Sequence, residues 1–133
     1  MGAFQDTLDQ FVVLAVFLPV LAGQSGNTGL QSLAVTLRGL TLGEVVKGSS
    51  GKMLRKEALV GFLNGTMVGL TAGLGMYLYA RFRENPDALL LGVVVFLAMG
   101  LSCVMSGISG TLIPVALRRA GVDPATASSI FLT

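Results

Sequence analysis

Residues 88–117 run for 30 positions without one charged side chain. As an unbroken helix that stretch would extend about 45 Å, well beyond the roughly 30 Å hydrocarbon core of a bilayer. Two further stretches, 11–37 and 58–80, also carry no charge. Across the chain 53% of residues are hydrophobic and 12% are charged, about half the usual quarter. Nine basic and seven acidic residues cannot clothe a soluble core of 133 residues. A disordered chain this apolar would not stay solvated. The class that remains is an all-α membrane protein, a glycine-rich transmembrane helical bundle in one domain (1–133) with three spans plus the start of a fourth helix.

The expected spans are about 11–37, 58–80 and 88–117. The first has an apolar start (11–23), then Gln24, Ser25, Gly26, Asn27, Thr28 and Gly29 in a row. Polar backbone at membrane depth is tolerated only when buried in protein or beside a wet cavity, so 24–31 is the most informative segment. Pro19 is a candidate hinge in this span. The second span repeats Gly61, Gly65, Gly69 and Gly73 every fourth residue, a smooth stripe for helix packing. Tyr77 and Tyr79 sit near its end, where interfacial aromatics belong. The third is too long to cross straight, and Pro114, after Gly107 and Gly110, is the expected break. Asp123 followed by Pro124 reads as a helix start, giving a fourth helix over 124–133 that stops short of a span. The sequence is therefore expected to be cut within a helix. Residues 1–10 carry no basic residue and read as a short polar lead, not a signal peptide.

Basic residues set the topology. Arg38, Lys47, Lys52, Arg55 and Lys56 cluster between the first two spans, and Arg118 and Arg119 follow the third. In the loop 81–87, Arg81 and Arg83 are offset by Glu84 and Asp87. The positive-inside rule puts 38–57 and 118–123 in the cytoplasm and the N-terminus outside, in a multi-pass protein of the plasma or inner membrane. The same rule explains the net charge of +2 without nucleic acid.

With one cysteine, Cys103, and no histidine, histidine zinc sites and histidine-based catalysis are excluded. No nucleophile–base pair is visible, so an enzyme is not expected, nor a cofactor. The tract 48–53 (GSSGKM) lacks the spacing of a phosphate-binding loop and reads as a flexible basic loop. Asn64, Gly65 and Thr66 fit a glycosylation triplet, but within a span it carries no meaning. Cys103 reads as a small buried helix residue.

An amide such as Asn27 at mid-membrane is costly unless paired. Asn27 and Gln31 share a helix face, as do Gln24 and Thr28. The cluster offers neutral oxygens and, through Gly26 and Gly29, backbone carbonyls. Hard cations prefer oxygen, and Mg²⁺ tends to keep several waters. An interhelical hydrogen-bond knot is the competing reading.

Pro19, then Gly23-Gln24-Ser25-Gly26-Asn27-Thr28-Gly29-Leu30-Gln31, then Arg38-Gly39 and Leu42-Gly43-Glu44, resemble the signature of the MgtE family of magnesium channels and transporters. Arg55-Lys56-Glu57 before the glycine-rich span resembles the family's next helix. Pro114 followed by Arg118-Arg119, Gly121 and Asp123-Pro124-Ala125 resembles the end of its fourth membrane helix and the start of its fifth. The resemblance covers nearly the whole chain but only about the second to fourth of five helices, and Ser25 stands where the family often has glycine. It implies a homodimer in the lipid bilayer, with Mg²⁺ as the transported ion and a central pore lined by the Asn27 helix and the fifth helix. Gly26, Asn27, Thr28, Gly29 and Gln31 would line the pore, and Asn27 and Asp123 would be metal-facing. The family's pore-facing acidic residue would lie beyond Thr133, so residues 1–133 alone are expected to be nearly inactive.

The expected function is thus a divalent-cation channel or transporter, with magnesium favoured. A non-transporting helical scaffold and an organic-solute transporter are the alternatives. The scaffold predicts a dry contact at Asn27. The solute carrier predicts charged or aromatic groups inside the spans.

Overall fold

Inside hydrocarbon no water is available to backbone N–H and C=O groups, so each apolar run must satisfy them internally, and here each does so as a helix. The computed structural model describes residues 12–43 and 50–124. Its long helices are α1 (Leu18–Thr41), α2 (Ser50–Phe82) and α3 (Ala88–Arg119). A helical stretch at 12–15 precedes α1 and is parted from it by a turn at Val16 and Phe17. Pro19 stands in the first turn of α1, where its missing N–H sacrifices no intrahelical bond. All three helices are long and apolar enough to cross a membrane. The expected polar lead over 1–10, the start of the 48–53 tract and the helix beyond Pro124 lie outside the described residues.

Left-handed residues stop the helices. After α1, Gly43 takes φ +70, and after α3, Gly121 takes φ +77. At the end of α3 the Val122 N–H reaches back to Leu117 O (3.0 Å) and the Gly121 N–H to Arg118 O (3.2 Å). These bonds satisfy carbonyls the helix leaves open, and glycine adopts the required φ without a Cβ clash. After α2, Glu84 takes the same role with φ 54, and Asn85 Oδ1 accepts the Asp87 N–H at 2.9 Å, tightening the turn into α3.

α3 is the central helix. α2 runs antiparallel along it, and its glycines allow near backbone contact. A Cβ at Gly61 would stand 2.7 Å from Cys103 O, one at Gly65 2.9 Å from Cys103 Cβ, one at Gly69 3.0 Å from Phe96 O, and one at Gly73 2.8 Å from Gly92 O. α1 packs on the other side of α3 and runs parallel to it, with Gly29 against Gly110 and Leu40 beside Arg118. α1 and α2 barely touch. At one end of the bundle Val13, Met76, Ala80, Ala88, Leu91 and Val95 form an apolar cluster. Leu63, Met67, Leu70, Leu97, Leu101 and Met105 point outward and are more than half exposed, the surface a bilayer covers.

The structure departs from the expected segments in two places. Residues 50–57 do not form part of a loop; they are the first turns of α2. Met53, Leu54, Arg55, Lys56 and Glu57 are all strong helix formers, and charge alone does not end a helix. Pro114 does not end α3, which continues to Arg119. Pro114 is fully buried against its neighbours, and α3 continues past it although an interior proline forgoes one backbone bond and crowds the carbonyl one turn back.

Candidate functional site

Successive residues of a helix turn by about 100°, and α1 uses that rotation to carry two polar faces. The inner face consists of Thr28, Gly29, Ser32, Leu33, Thr36, Gly39 and Leu40, all buried. The outer face carries Gly23, Asn27 and Gln31 at four-residue steps, all exposed. A Cβ added at Gly23 or Gly26 would meet nothing within 4 Å.

Hydroxyls on the inner faces mostly turn to their own helix. Thr36 Oγ1 donates to Ser32 O (2.7 Å) and Thr111 Oγ1 to Gly107 O (3.1 Å). Such back-bonding satisfies a hydroxyl in an apolar setting. Two contacts instead bridge α1 to α2. Ser32 Oγ donates to Glu57 Oε2 at 2.7 Å. Asn64 Nδ2 donates to Thr28 Oγ1 at 3.1 Å, and that hydroxyl lies 3.0 Å from Gln24 O and 3.7 Å from the buried Cys103 Sγ. The pairs sit one α1 turn apart, so they form a two-rung polar ladder over the small residues of α3.

The residues singled out from sequence are thereby divided. Asn27 and Gln31 stand together on the outer face. Thr28 and Gly29 face α3, with Gly29 O directly against Gly110. Gly26 is half-buried. α1 is unbroken across 24–31, so the glycines do not unwind it and its carbonyls stay in helical bonds. Asp123 lies elsewhere. It lines a cleft of about 400 Å³ with Leu37, Leu40, Thr41, Arg118 and Pro124, about 15–21 Å along α1 from Asn27 by helical rise. Arg118 Nη1 donates to Leu40 O in the same cleft, so the guanidinium neutralises the C-terminal end of α1 that a cation would otherwise favour. Asn27 and Asp123 do not share one site.

Glu57 and Asn64 were not legible as site residues. Glu57 is only 5% exposed. The signal that finds it is the glycine stripe itself: one further step of four back from Gly61 lands on Glu57, so the carboxyl shares the face turned to α3. Asn64 is three residues after Gly61, on the flank of the same stripe. Among the described residues no group of three or more His, Cys, Asp or Glu side chains could hold a metal ion. The side-chain oxygens that Asn27 and Gln31 present on the outer face of α1 are neutral.

Residues 18–133 match the family called MgtE, divalent cation transporter. The chain belongs to the MgtE family. It is 35% identical over 130 residues to a protein named magnesium transporter MgtE from Bacillus subtilis, covering 98% of this chain and 28% of that one. Its counterpart of the same name in Enterococcus faecalis is 33% identical over 98% of this chain and 27% of its own length. A third magnesium transporter MgtE, from Thermus thermophilus, is 35% identical over 95% of this chain and 26% of its own. The chain thus spans about a quarter of the length of these relatives. No solved structure gives a significant match. MgtE proteins form a multi-pass membrane transporter family, not an enzyme family. The match begins at the first residue of α1 and takes in both of its polar faces, the whole of α2 and α3, and the Asp123-Pro124 pair.

Proposed function

We propose that this chain supplies part of the membrane pathway of a divalent-cation transporter, with Mg²⁺ as the ion, and that two copies bring their α1 outer faces to a common aqueous route. The observation that carries this reading is the exposure of Asn27 and Gln31 side by side on a helix long and apolar enough to span a bilayer. A primary amide facing lipid loses its hydrogen bonds at a cost of several kcal/mol, so this face needs water or a polar partner. A row of neutral amides with glycine beside it suits an ion that keeps its waters. Two positive charges crossing 100 mV gain about 4.6 kcal/mol from the field alone, so inward flow needs no nucleotide.

The proposed orientation rests on the distribution of basic residues. α1 and α3 are parallel and α2 antiparallel, so Arg38, Lys52, Arg55, Lys56, Arg118 and Arg119 gather at one end of the bundle. That end is cytoplasmic by the positive-inside rule, and Asp123 lies at the cytoplasmic mouth. Thr28 and Gly29 act behind the pathway, as packing that seats α1 on α3.

The test is access of water to position 27. In full-length protein carrying Asn27→Cys in proteoliposomes, a water-soluble thiol reagent labels the new cysteine. If position 27 resists the reagent, the aqueous route is not there, and the scaffold reading gains.

A further inference from the structure

Glu57 is a buried carboxyl seven residues into a membrane-length helix, and nothing in the ion pathway uses it. Carboxyls at such positions are costly and are generally retained for function. An apolar side chain would fill the space between α1 and α3 at lower cost. What Glu57 provides is direction. α1 and α2 both pack on α3 and hardly on each other, so the direct links between them are side chains that reach across, and the Ser32–Glu57 bond at 2.7 Å is the shorter of the two.

The surroundings of this bond are cut to fit it. Gly107 of α3 lies beneath it, and a Cβ there would stand 3.1 Å from Glu57 O and 3.5 Å from Ser32 Oγ. A side chain at 107 would press on the Glu57 backbone carbonyl and so push that turn of α2 away from α3, while only touching Ser32 Oγ. Ser32 and Asn27 are five residues apart, which places them about 140° apart around α1. Holding Ser32 inward on Glu57 therefore turns Asn27 outward.

We propose that Glu57 is a positioning residue for the ion pathway: by accepting a hydrogen bond from Ser32 it fixes the rotation of α1 and so aims Asn27 and Gln31 at the permeating ion. The inference rests on the reading that the outer face of α1 lines the route. It assigns the acceptor oxygen the essential part, so Glu57→Gln, which keeps an acceptor, preserves the geometry.

The experiment uses full-length protein in proteoliposomes with Asn27→Cys as reporter, and reads its rate of reaction with a water-soluble thiol reagent. The Asn27 parent corrects for other cysteines. Gel filtration confirms that each variant folds. Glu57→Ala and Ser32→Ala are each expected to change the labelling rate by about tenfold, the scale of effect typical of residues that orient a metal-facing group. The double variant should be no worse than either single one, because both remove the same bond. Glu57→Gln should stay within about twofold, well under the effect of losing a hydrogen bond. Ser32→Ala is small and mild, so it decides the matter should Glu57→Ala not fold. Labelling unchanged in Ser32→Ala, or Glu57→Gln as altered as Glu57→Ala, overturns the proposal while leaving the pathway standing. A reporter that never labels overturns the pathway and this inference with it.

Discussion

Gly110 of α3 lies flat against the backbone of Gly29 of α1. A Cβ on Gly110 would strike Gly29 O and stand 2.9 Å from Ser32 Cβ. The seating of the candidate pathway helix therefore depends on a glycine of another helix. Gly110→Ala should lower stability by about 1–3 kcal/mol, the usual range for overpacking. Gly100→Ala is the control, since a Cβ there meets nothing within 4 Å, and it should be neutral or slightly stabilising through helix propensity. Thermal unfolding in detergent distinguishes the two.

The second rung of the ladder is Asn64 to Thr28. Removing it by Asn64→Leu should cost about 1 kcal/mol, the scale of hydrogen bonds between membrane helices. Thr28 keeps its bond to Gln24 O, so Thr28→Val in the Asn64→Leu background should cost less than it does alone. A double-mutant cycle from unfolding midpoints measures the coupling.

Cys103 is fully buried, wedged between Gly65 and Thr28. A water-soluble thiol reagent should leave it unmodified in the folded protein and modify it after denaturation. Mass spectrometry before and after unfolding reads this directly.

Arg118 caps α1 from a neighbouring helix by donating to Leu40 O. Replacing it with alanine removes a cation from the negative end of the α1 dipole, an effect of about 1 kcal/mol. Hydrogen exchange should quicken in the last turn of α1 and stay unchanged at its centre.

Much of this arrangement is written in the order of the residues. The uncharged runs dictate three membrane helices, because no other secondary structure closes its own backbone bonds in a single segment. The four-residue glycine repeat from Gly61 to Gly73 dictates a close neighbour, and the structure shows that neighbour to be α3. Asn27 stands out because amides are rare in such surroundings. What periodicity alone does not reveal is which of two polar faces turns inward. Thr28 and Gly29 adjoin Asn27 in sequence but turn toward α3, where Gly110 leaves room for the Gly29 backbone. Glu57 was hidden because it stands beside Arg55 and Lys56 at the edge of an apolar run, where a charge looks like the end of a span. The helix starts earlier, at Ser50, and the carboxyl is carried inside. Pro114 sits inside α3 without ending it, its ring buried among its neighbours.

The central claim is that a cation passes beside the Asn27 carboxamide. Mg²⁺ uptake into proteoliposomes holding the full-length protein tests it most directly, with Asn27→Ala and Asn27→Leu compared against the parent at equal amounts of folded protein. Both variants should lose most of the flux or change the preference among divalent ions, with leucine the more severe because it places a hydrocarbon where the ion's waters need an oxygen. Flux and ion preference unchanged in both variants would contradict the account.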